Sequence, residues 1–141
     1  MSKVAVIFWS GTGNTETMAN CVCEGAKSKG ADVTLFEANK FSKDLVDNFD
    51  AFAFGCPSMG SEVLEDGDFE PMWDNVKGSL KDIKVVLFGS YDWGDGEWMR
   101  NWTEECNSLG ITLAKDFVIA NLEPDEPSKT ACKSLGEAIA S

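Results

Sequence analysis

Apolar residues of this chain fall into five short runs that are typical of strands. The runs cover residues 4–9, 33–36, 51–55, 85–88 and 117–120. Most of them are nearly continuous rather than alternating with polar residues, which indicates strands covered on both faces. We therefore expect a parallel sheet that lies between two layers of other structure.

Between these runs, apolar residues recur at the three- and four-residue spacing of amphipathic helices. Four clear stripes lie within residues 18–26, 69–80, 98–109 and 131–139, and a weaker one lies within 41–49. The second stripe has Pro71 in its first turn, where a proline is tolerated. Trp73, Trp98 and Trp102 fall on these stripes, so we expect them in the core.

Strands and helices alternate along the chain, which predicts an α/β fold. Right-handed crossovers then give an open parallel sheet of five strands with helices on both faces. We expect residues 1–141 to form a single domain, since this length matches the usual size of one domain. Ligands of such sheets bind beyond the carboxyl ends of the strands. The loops after strands one, three and four are therefore the candidates for a site.

The loop after the first strand is rich in groups that bind anions. It consists of Ser10, Gly11, Thr12, Gly13, Asn14 and Thr15, and a helix follows it. Backbone N–H groups at the start of a helix attract an anion, and the helix dipole adds to this attraction. The two glycines let the chain turn tightly around a phosphate, while the hydroxyl and amide side chains add neutral donors. This pattern favours a bound phosphate group.

Several kinds of phosphate site share features with this loop. A P-loop NTPase needs Gly-Lys-Ser/Thr, but residues 10–15 contain no lysine. A Rossmann dinucleotide site needs a third glycine where this chain has Glu16, although Glu37 could still act as its ribose-binding acid. A monophosphate held by neutral donors fits best. A polar helix cap that binds nothing is the simplest alternative.

Three segments together resemble the flavodoxin family. They are residues 10–15, Pro57-Ser58-Met59-Gly60-Ser61-Glu62 after the third strand, and Phe88-Gly89-Ser90-Tyr91-Asp92-Trp93-Gly94 at the end of the fourth. The chain is especially similar to short-chain flavodoxins of anaerobic bacteria, because its fifth strand carries no long insertion. The resemblance implies a flavodoxin-like sheet in the order 2-1-3-4-5 and a single FMN as cofactor. It also implies a low-potential carrier that moves one electron at a time between redox proteins.

The resemblance further implies that the two later loops hold the flavin ring. In the loop formed by Pro57, Ser58, Met59, Gly60, Ser61 and Glu62, the methionine would pack against one face of the ring. The Gly60 carbonyl would turn towards N5 when one electron and one proton arrive, and glycine makes such a peptide flip cost little. Glu62 could accept a hydrogen bond from N3–H. An ordinary turn with an exposed methionine is the alternative.

The loop after the fourth strand contributes Ser90, Tyr91, Asp92, Trp93 and Gly94. Trp93 stands among acidic and glycine residues, outside any helical or strand pattern, so we expect it to stack on a flat ring rather than enter the core. Relatives usually have glycine where this chain has Asp92, and a carboxylate there could alter the loop or its redox behaviour. Trp9, at the end of the first strand, could belong to the core or to the site.

The chain is strongly acidic, with 24 Asp and Glu residues against 12 Lys and Arg and a net charge of −12. Such a surface would be repelled by nucleic acid and anionic membranes. Acids cluster near the expected flavin side: Glu62, Glu65, Asp66, Asp68, Glu70, Asp92, Asp95, Glu97, Glu123, Asp125 and Glu126. Most of them individually are expected at a solvated surface. Together they would oppose extra negative charge on a reduced flavin and offer a docking face to basic redox proteins of the reductase or oxidoreductase type.

The five cysteines and the absence of histidine limit the reactions and metal sites that the chain can support. An odd number of scattered cysteines indicates reduced thiols and a cytoplasmic location. No run of about 18 apolar residues could span a membrane, and the first residues lack the features of a signal peptide. Cys21 and Cys23 have no second close pair and no histidine to complete a metal site, so we expect no metal. The usual general base is also missing.

These observations favour an electron carrier without a substrate of its own, working as a monomer. The main alternative is a small FMN-dependent reductase of quinone-like compounds. Such an enzyme needs space for a substrate above the ring, whereas Met59 and Trp93 would cover both faces. A receiver-like signalling domain of the same topology is disfavoured, because it needs an aspartate at the end of the third strand and this chain has Cys56 there.

Overall fold

The computed structural model describes residues 2–140, in which six strands form one parallel sheet. The strands are β1 (Lys3–Phe8), β2 (Asp32–Glu37), β3 (Ala51–Gly55), β4 (Lys84–Tyr91), β5 (Thr112–Leu113) and β6 (Val118–Asn121). Their order across the sheet is β2-β1-β3-β4, and both β5 and β6 pair with β4. The predicted order 2-1-3-4-5 is therefore confirmed, with two short strands in the fifth position.

That fifth position differs from the single strand predicted at residues 117–120. β5 pairs with the start of β4, where Thr112 lies beside Lys84, and β6 pairs with its end, where Asn121 lies beside Tyr91. The connection between them passes through Lys115, which is exposed. A strand of two residues is too short to produce an apolar run, so the pattern of the sequence did not predict β5.

Four α-helices cover the sheet: α1 (Asn14–Ser28), α2 (Phe69–Val76), α3 (Glu97–Ser108) and α4 (Glu126–Ala140). Buried residues of α1 and α4 pack on one face of the sheet, and those of α2 and α3 pack on the other. Each of the four clear stripes lies mostly on one of these helices, although the second extends past the end of α2 to Leu80 and the third extends one residue past α3 to Leu109. Trp73, Trp98 and Trp102 lie in the core, at most 2% exposed. Within the described residues, no helix is both long and apolar enough to cross a membrane.

The weaker helix predicted at residues 41–49 is wrong. The chain there forms 3₁₀ turns, Ala38–Lys40 and Lys43–Asn48, rather than an α-helix. Phe41 and Phe49 flank the second turn, and both contact Phe52 of β3 with ring centroids 6.0 Å apart. Because both ends of this short segment are anchored to the sheet, the chain between them adopts the tighter 3₁₀ conformation.

β1 and β3 end side by side at one edge of the sheet, and β4 continues three residues further, to Tyr91. Phe8 pairs with Gly55, and Gly55 pairs with Phe88. The strands fit closely there, since a Cβ atom on Gly55 would lie 2.1 Å from the Phe88 ring and one on Gly89 would lie 2.1 Å from the Cys56 carbonyl oxygen. This close fit brings the loops after β1, β3 and β4 side by side.

Candidate functional site

A groove of about 210 Å³ lies at the carboxyl ends of β1, β3 and β4, where the three predicted loops meet. Its walls are formed by Ser10, Gly11, Thr12, Asn14, Thr15, Pro57, Ser58, Met59, Ser90, Tyr91 and Asp92, together with Trp9 and Leu122. Six other predicted site residues lie in the same loops but are not among the residues that line the groove: Gly13, Gly60, Ser61, Glu62, Trp93 and Gly94. The fold thus assembles one groove from segments that are far apart in the chain.

The loop after β1 is held in a tight turn by its own side chains. The Ser10 hydroxyl oxygen accepts hydrogen bonds from the backbone N–H groups of Gly13, at 3.1 Å, and Glu16, at 3.3 Å. Gly13 has φ of +95°, a conformation that glycine adopts easily, and α1 begins at the next residue. The first N–H groups of this helix therefore lie at the edge of the groove, where helix geometry leaves them without an intrahelical acceptor.

Thr15 joins this loop to the end of β4. Its hydroxyl oxygen lies 2.8 Å from the Ser90 hydroxyl oxygen, and the Ser90 backbone N–H donates to it at 3.3 Å. Thr15 is 1% exposed and Ser90 is 6% exposed. The threonine predicted as a phosphate donor thus also fixes the start of α1 against the sheet.

The loop after β3 forms a narrow turn that projects beside the groove. Met59 and Val63 exchange two backbone hydrogen bonds, of 2.9 and 3.0 Å. Gly60 and Glu62, inside the turn, have φ of +51° and +58°. The Ser58 N–H donates to the Ser90 carbonyl oxygen at 3.0 Å, which fixes the base of this turn to β4. Met59 is 37% exposed and borders the groove.

Two acids of the cluster near the groove are buried rather than solvated. Glu62 is 8% exposed and Glu65 is 9% exposed. The Glu65 carboxylate accepts from the backbone N–H groups of Gly67, Asp68 and Phe69 at 2.7–2.8 Å, so it caps the start of α2. The sequence pattern did not predict this capping role. The feature that could have predicted this cap is an acid placed just before the apolar stripe of a helix.

The loop after β6 is hydrogen-bonded to the backbone of Tyr91, which lines the groove. The Tyr91 carbonyl oxygen accepts from the Leu122 N–H at 2.7 Å and from the Asn121 side-chain amide at 3.2 Å. Leu122 has φ of +58° and is 53% exposed, although a branched apolar residue rarely adopts this conformation. Its position after the last strand pointed to an edge of the ring or to a partner surface, and the structure puts Leu122 on the groove wall.

Trp93 lies outside the core, as its sequence context predicted. Its side chain is 57% exposed, whereas Trp9 is half-buried and lines the groove. Asp92, exposed between Tyr91 and Trp93, supplies the one formal charge among the groove-lining residues. The wall of this groove therefore combines neutral hydrogen-bonding groups, apolar side chains and one carboxylate.

Thiol chemistry does not fit this site. Cys56 follows β3 and is fully buried, and its burial raises the pKa of the thiol far above the ordinary value. All five cysteines are free and buried, as expected for reduced thiols. A protonated and inaccessible thiol is not a nucleophile. The groove is therefore suited to holding a ligand by hydrogen bonds and apolar contacts.

Comparison with known proteins gives one consistent result. The flavodoxin family profile matches residues 6–134. A flavodoxin of Clostridium beijerinckii is 40% identical and covers 96% of this chain and 97% of its own length. A flavodoxin of Megasphaera elsdenii is 42% identical, covering 97% and 98% respectively. The solution structure of the two-electron reduced Megasphaera elsdenii flavodoxin superposes with a TM-score of 0.89 over 97% of this chain and 98% of its own.

Proposed function

Because this chain belongs to the flavodoxin family, we propose that its groove is the site of a single FMN and that the chain passes electrons one at a time between larger redox proteins. Members of this family bind FMN and carry electrons. The bound FMN supplies a centre that accepts and releases single electrons. The observation that carries the assignment of the site is the meeting of a phosphate-type loop with two ring-type loops at one edge of the sheet.

The loop after β1 fits the phosphate of FMN. Its donors are the first N–H groups of α1 and the side chains of Ser10, Thr12, Asn14 and Thr15, with Gly11 and Gly13 allowing the turn. None of these side chains is charged, and a helix N-terminus supplies the favourable potential for a dianion. The donor set is therefore matched to a terminal monophosphate.

The loops after β3 and β4 fit the ring. Pro57, Ser58, Met59, Gly60, Ser61 and Glu62 would line one side, and Ser90, Tyr91, Asp92, Trp93 and Gly94 the other. Met59 and Leu122 border the groove and expose apolar surface, and Trp93 is exposed in the loop after β4. A flat aromatic ring stacked against these side chains would bury their apolar surface.

This arrangement favours a carrier over an enzyme. Side chains that cover both faces of the ring exclude a stacked substrate and leave one ring edge for electron exchange. The groove-lining residues also contain no histidine, lysine or cysteine to move protons. A small reductase of quinone-like compounds remains the second candidate, favoured only by the exposure of Trp93, which could move aside to admit a ring.

Exposed acidic side chains lie in or next to the loops that border the groove, and they would suit a basic partner. Asp66, Asp68, Glu70, Asp92, Glu97, Glu123, Asp125 and Glu126 are exposed near the two ring loops and the loop after β6. Their combined field would disfavour added negative charge on the cofactor, which lowers its potential, and would attract redox proteins with basic docking faces. We place this carrier in the cytoplasm as a one-domain monomer.

Binding of three flavins by the purified chain tests the proposal. We expect a yellow complex with one FMN per chain and much weaker binding of riboflavin, which lacks the phosphate, and of FAD, whose phosphate is not terminal. Flavin fluorescence quenching during titration measures each affinity. Equal affinity for FMN and riboflavin would show that the loop after β1 does not recognise a phosphate.

A further inference from the structure

We propose that Glu62, besides the contact with the ring that the family resemblance implies, ties the loop after β3 to the loop after β4, so that both walls of the ring site move as one unit. The tie itself is read from the structure, and only its benefit for FMN rests on the proposed function. Glu62 lies three residues after Met59, and its carboxylate reaches a segment that begins two residues after Trp93. The tie therefore joins the two loops that carry the side chains expected to cover the ring.

The contacts of one carboxylate oxygen define the tie. Glu62 Oε1 accepts hydrogen bonds from the backbone N–H groups of Asp95 at 3.2 Å, Gly96 at 3.3 Å and Glu97 at 3.3 Å. These donors belong to the start of α3, where helix geometry leaves N–H groups without intrahelical acceptors. The positive end of the helix dipole also favours a carboxylate there. An acid more than thirty residues earlier in the chain therefore caps this helix.

Burial and backbone conformation support a dedicated role for this side chain. Glu62 is 8% exposed, although a glutamate is almost never buried without partners. Its φ of +58° is uncommon for a residue other than glycine. Such conformations persist where surrounding contacts hold them in place. The three N–H donors supply those contacts.

Gly94, in the loop after β4, lies against the Glu62 carboxylate. It has φ of +90°, and a Cβ atom added to it would lie 2.3 Å from Glu62 Oε1 and 2.5 Å from the Glu62 carboxyl carbon. A side chain at position 94 would therefore displace the carboxylate from the N–H groups. Glu62 and Gly94 together explain why the two loops approach each other so closely.

The tie has a consequence for binding. A ligand that must order two independent loops loses more conformational entropy than one that meets a preformed pair of walls. With Glu62 in place, the Met59 turn and the Trp93 loop already share one position before a ring enters. Loss of the tie should weaken binding through the ring half of the site and leave the phosphate half unchanged.

Hydrogen exchange of backbone amides, measured by NMR on the full chain without and with FMN, tests the tie. In the chain without FMN we expect the amides of Asp95, Gly96 and Glu97 to exchange at least about tenfold faster in Glu62→Ala than in the unmodified chain. Glu62→Gln keeps an acceptor oxygen and should retain most of the protection. Unprotected amides in the unmodified chain, or protection unchanged in Glu62→Ala, would overturn the tie.

Glycine variants supply a matched pair if Glu62→Ala proves too unstable to measure. Gly94→Ala should remove the protection, because its methyl group displaces the carboxylate. Gly30→Ala has a similar backbone conformation, with φ of +85°, and open space around the added atom, so it should leave these amides protected. Loss of protection in both variants would show that general destabilisation is responsible and would contradict the proposal.

Flavin titration then separates this inference from the proposed function. Glu62→Ala should weaken FMN and riboflavin by the same factor, since the change acts on the ring half alone. A loss confined to FMN would contradict the inference. Failure of the unmodified chain to bind FMN would instead contradict the proposed function. The hydrogen exchange measured without FMN would still test the tie independently.

Discussion

The hydroxyl oxygens of Thr15 and Ser90 lie 2.8 Å apart in the interior, although 75 positions separate the two residues in the chain. This contact joins the first turn of α1, which follows the loop proposed to bind phosphate, to the end of β4, which precedes one of the loops proposed to hold the ring. A buried hydroxyl pair of this kind stabilises the folded chain and fixes the two halves of the groove relative to each other.

Thr15 and Thr12 should therefore behave differently when each is replaced by alanine. Thr15→Ala removes a buried partner of Ser90, so we expect a loss of about 1–3 kcal/mol in the free energy of unfolding of the chain without FMN, as well as weaker FMN binding. Thr12 is exposed, so Thr12→Ala should weaken FMN by a similar amount and leave the free energy of unfolding unchanged. Urea unfolding and flavin titration measure the two effects. Equal stability of both variants would contradict the role given to Thr15.

Gly60→Ala should strain the turn after β3. Gly60 has φ of +51° with nothing within 4 Å of an added Cβ atom, so the cost is one of backbone conformation, about 1–2 kcal/mol. A turn of the Gly60 carbonyl towards N5 would place this cost on the protein that has taken up one electron. The observed φ places part of it on the chain without FMN as well.

Unfolding and redox titration of Gly60→Ala measure both parts. We expect a loss of stability close to that of Gly30→Ala, and a first-electron potential more negative by up to about 90 mV, from roughly 59 mV per 1.4 kcal/mol. Gly78→Ala, at ordinary φ with open space, serves as the neutral control. An unchanged first-electron potential would show that this peptide does not respond to reduction.

Stability should fall steeply above about pH 9, because buried thiols resist ionisation in the folded chain. Burial raises the pKa of Cys23 to about 11, and burial likewise raises the pKa of Cys106 and of Cys132 to about 12. Between the ordinary and the raised pKa, the unfolded chain has lost protons that the folded chain retains, so rising pH favours unfolding. Each such thiol contributes about 1.4 kcal/mol per pH unit in this range.

Urea unfolding between pH 8 and pH 10.5 checks the expected slope. Cys132→Ala should show a shallower decline than the unmodified chain, by the contribution of one thiol. A thiol-specific reagent at pH 8 should react slowly with the folded chain and readily with all five cysteines after unfolding. Stability that stays level across this range would contradict the assignment of the raised pKa values.

Reduction of the FMN-loaded chain should require a protein partner. Nothing in the groove recognises a nicotinamide, and Met59 and Trp93 would cover the ring, so we expect no saturable oxidation of NADH or NADPH by the isolated chain. With a flavodoxin reductase present, reduction should proceed and should slow as ionic strength rises, because the net charge of −12 assists the encounter at low salt. Rapid direct turnover would favour the reductase alternative instead.

Local patterns in the sequence were sufficient for much of the fold. The apolar run at residues 51–55 coincides with β3, and the stripe that includes Trp73 lies on α2 and packs in the core. These predictions succeeded because burial on a strand or helix face imposes a period that neighbouring residues reveal. The predicted loops also met in one groove, since the carboxyl ends of parallel strands necessarily share one edge of a sheet.

The sequence by itself determined the alternation of strands and helices, the position of the loop between β1 and α1, and the exposure of Trp93. Only the tertiary structure decided that Glu62 and Glu65 turn inward, that Leu122 reaches the groove and that residues 41–49 form 3₁₀ turns. An acidic residue looks the same in a sequence whether water or backbone N–H groups surround it. For Glu62, the surroundings depend on the position of α3, which begins thirty-five residues later in the chain. Packing across the sheet sets that position.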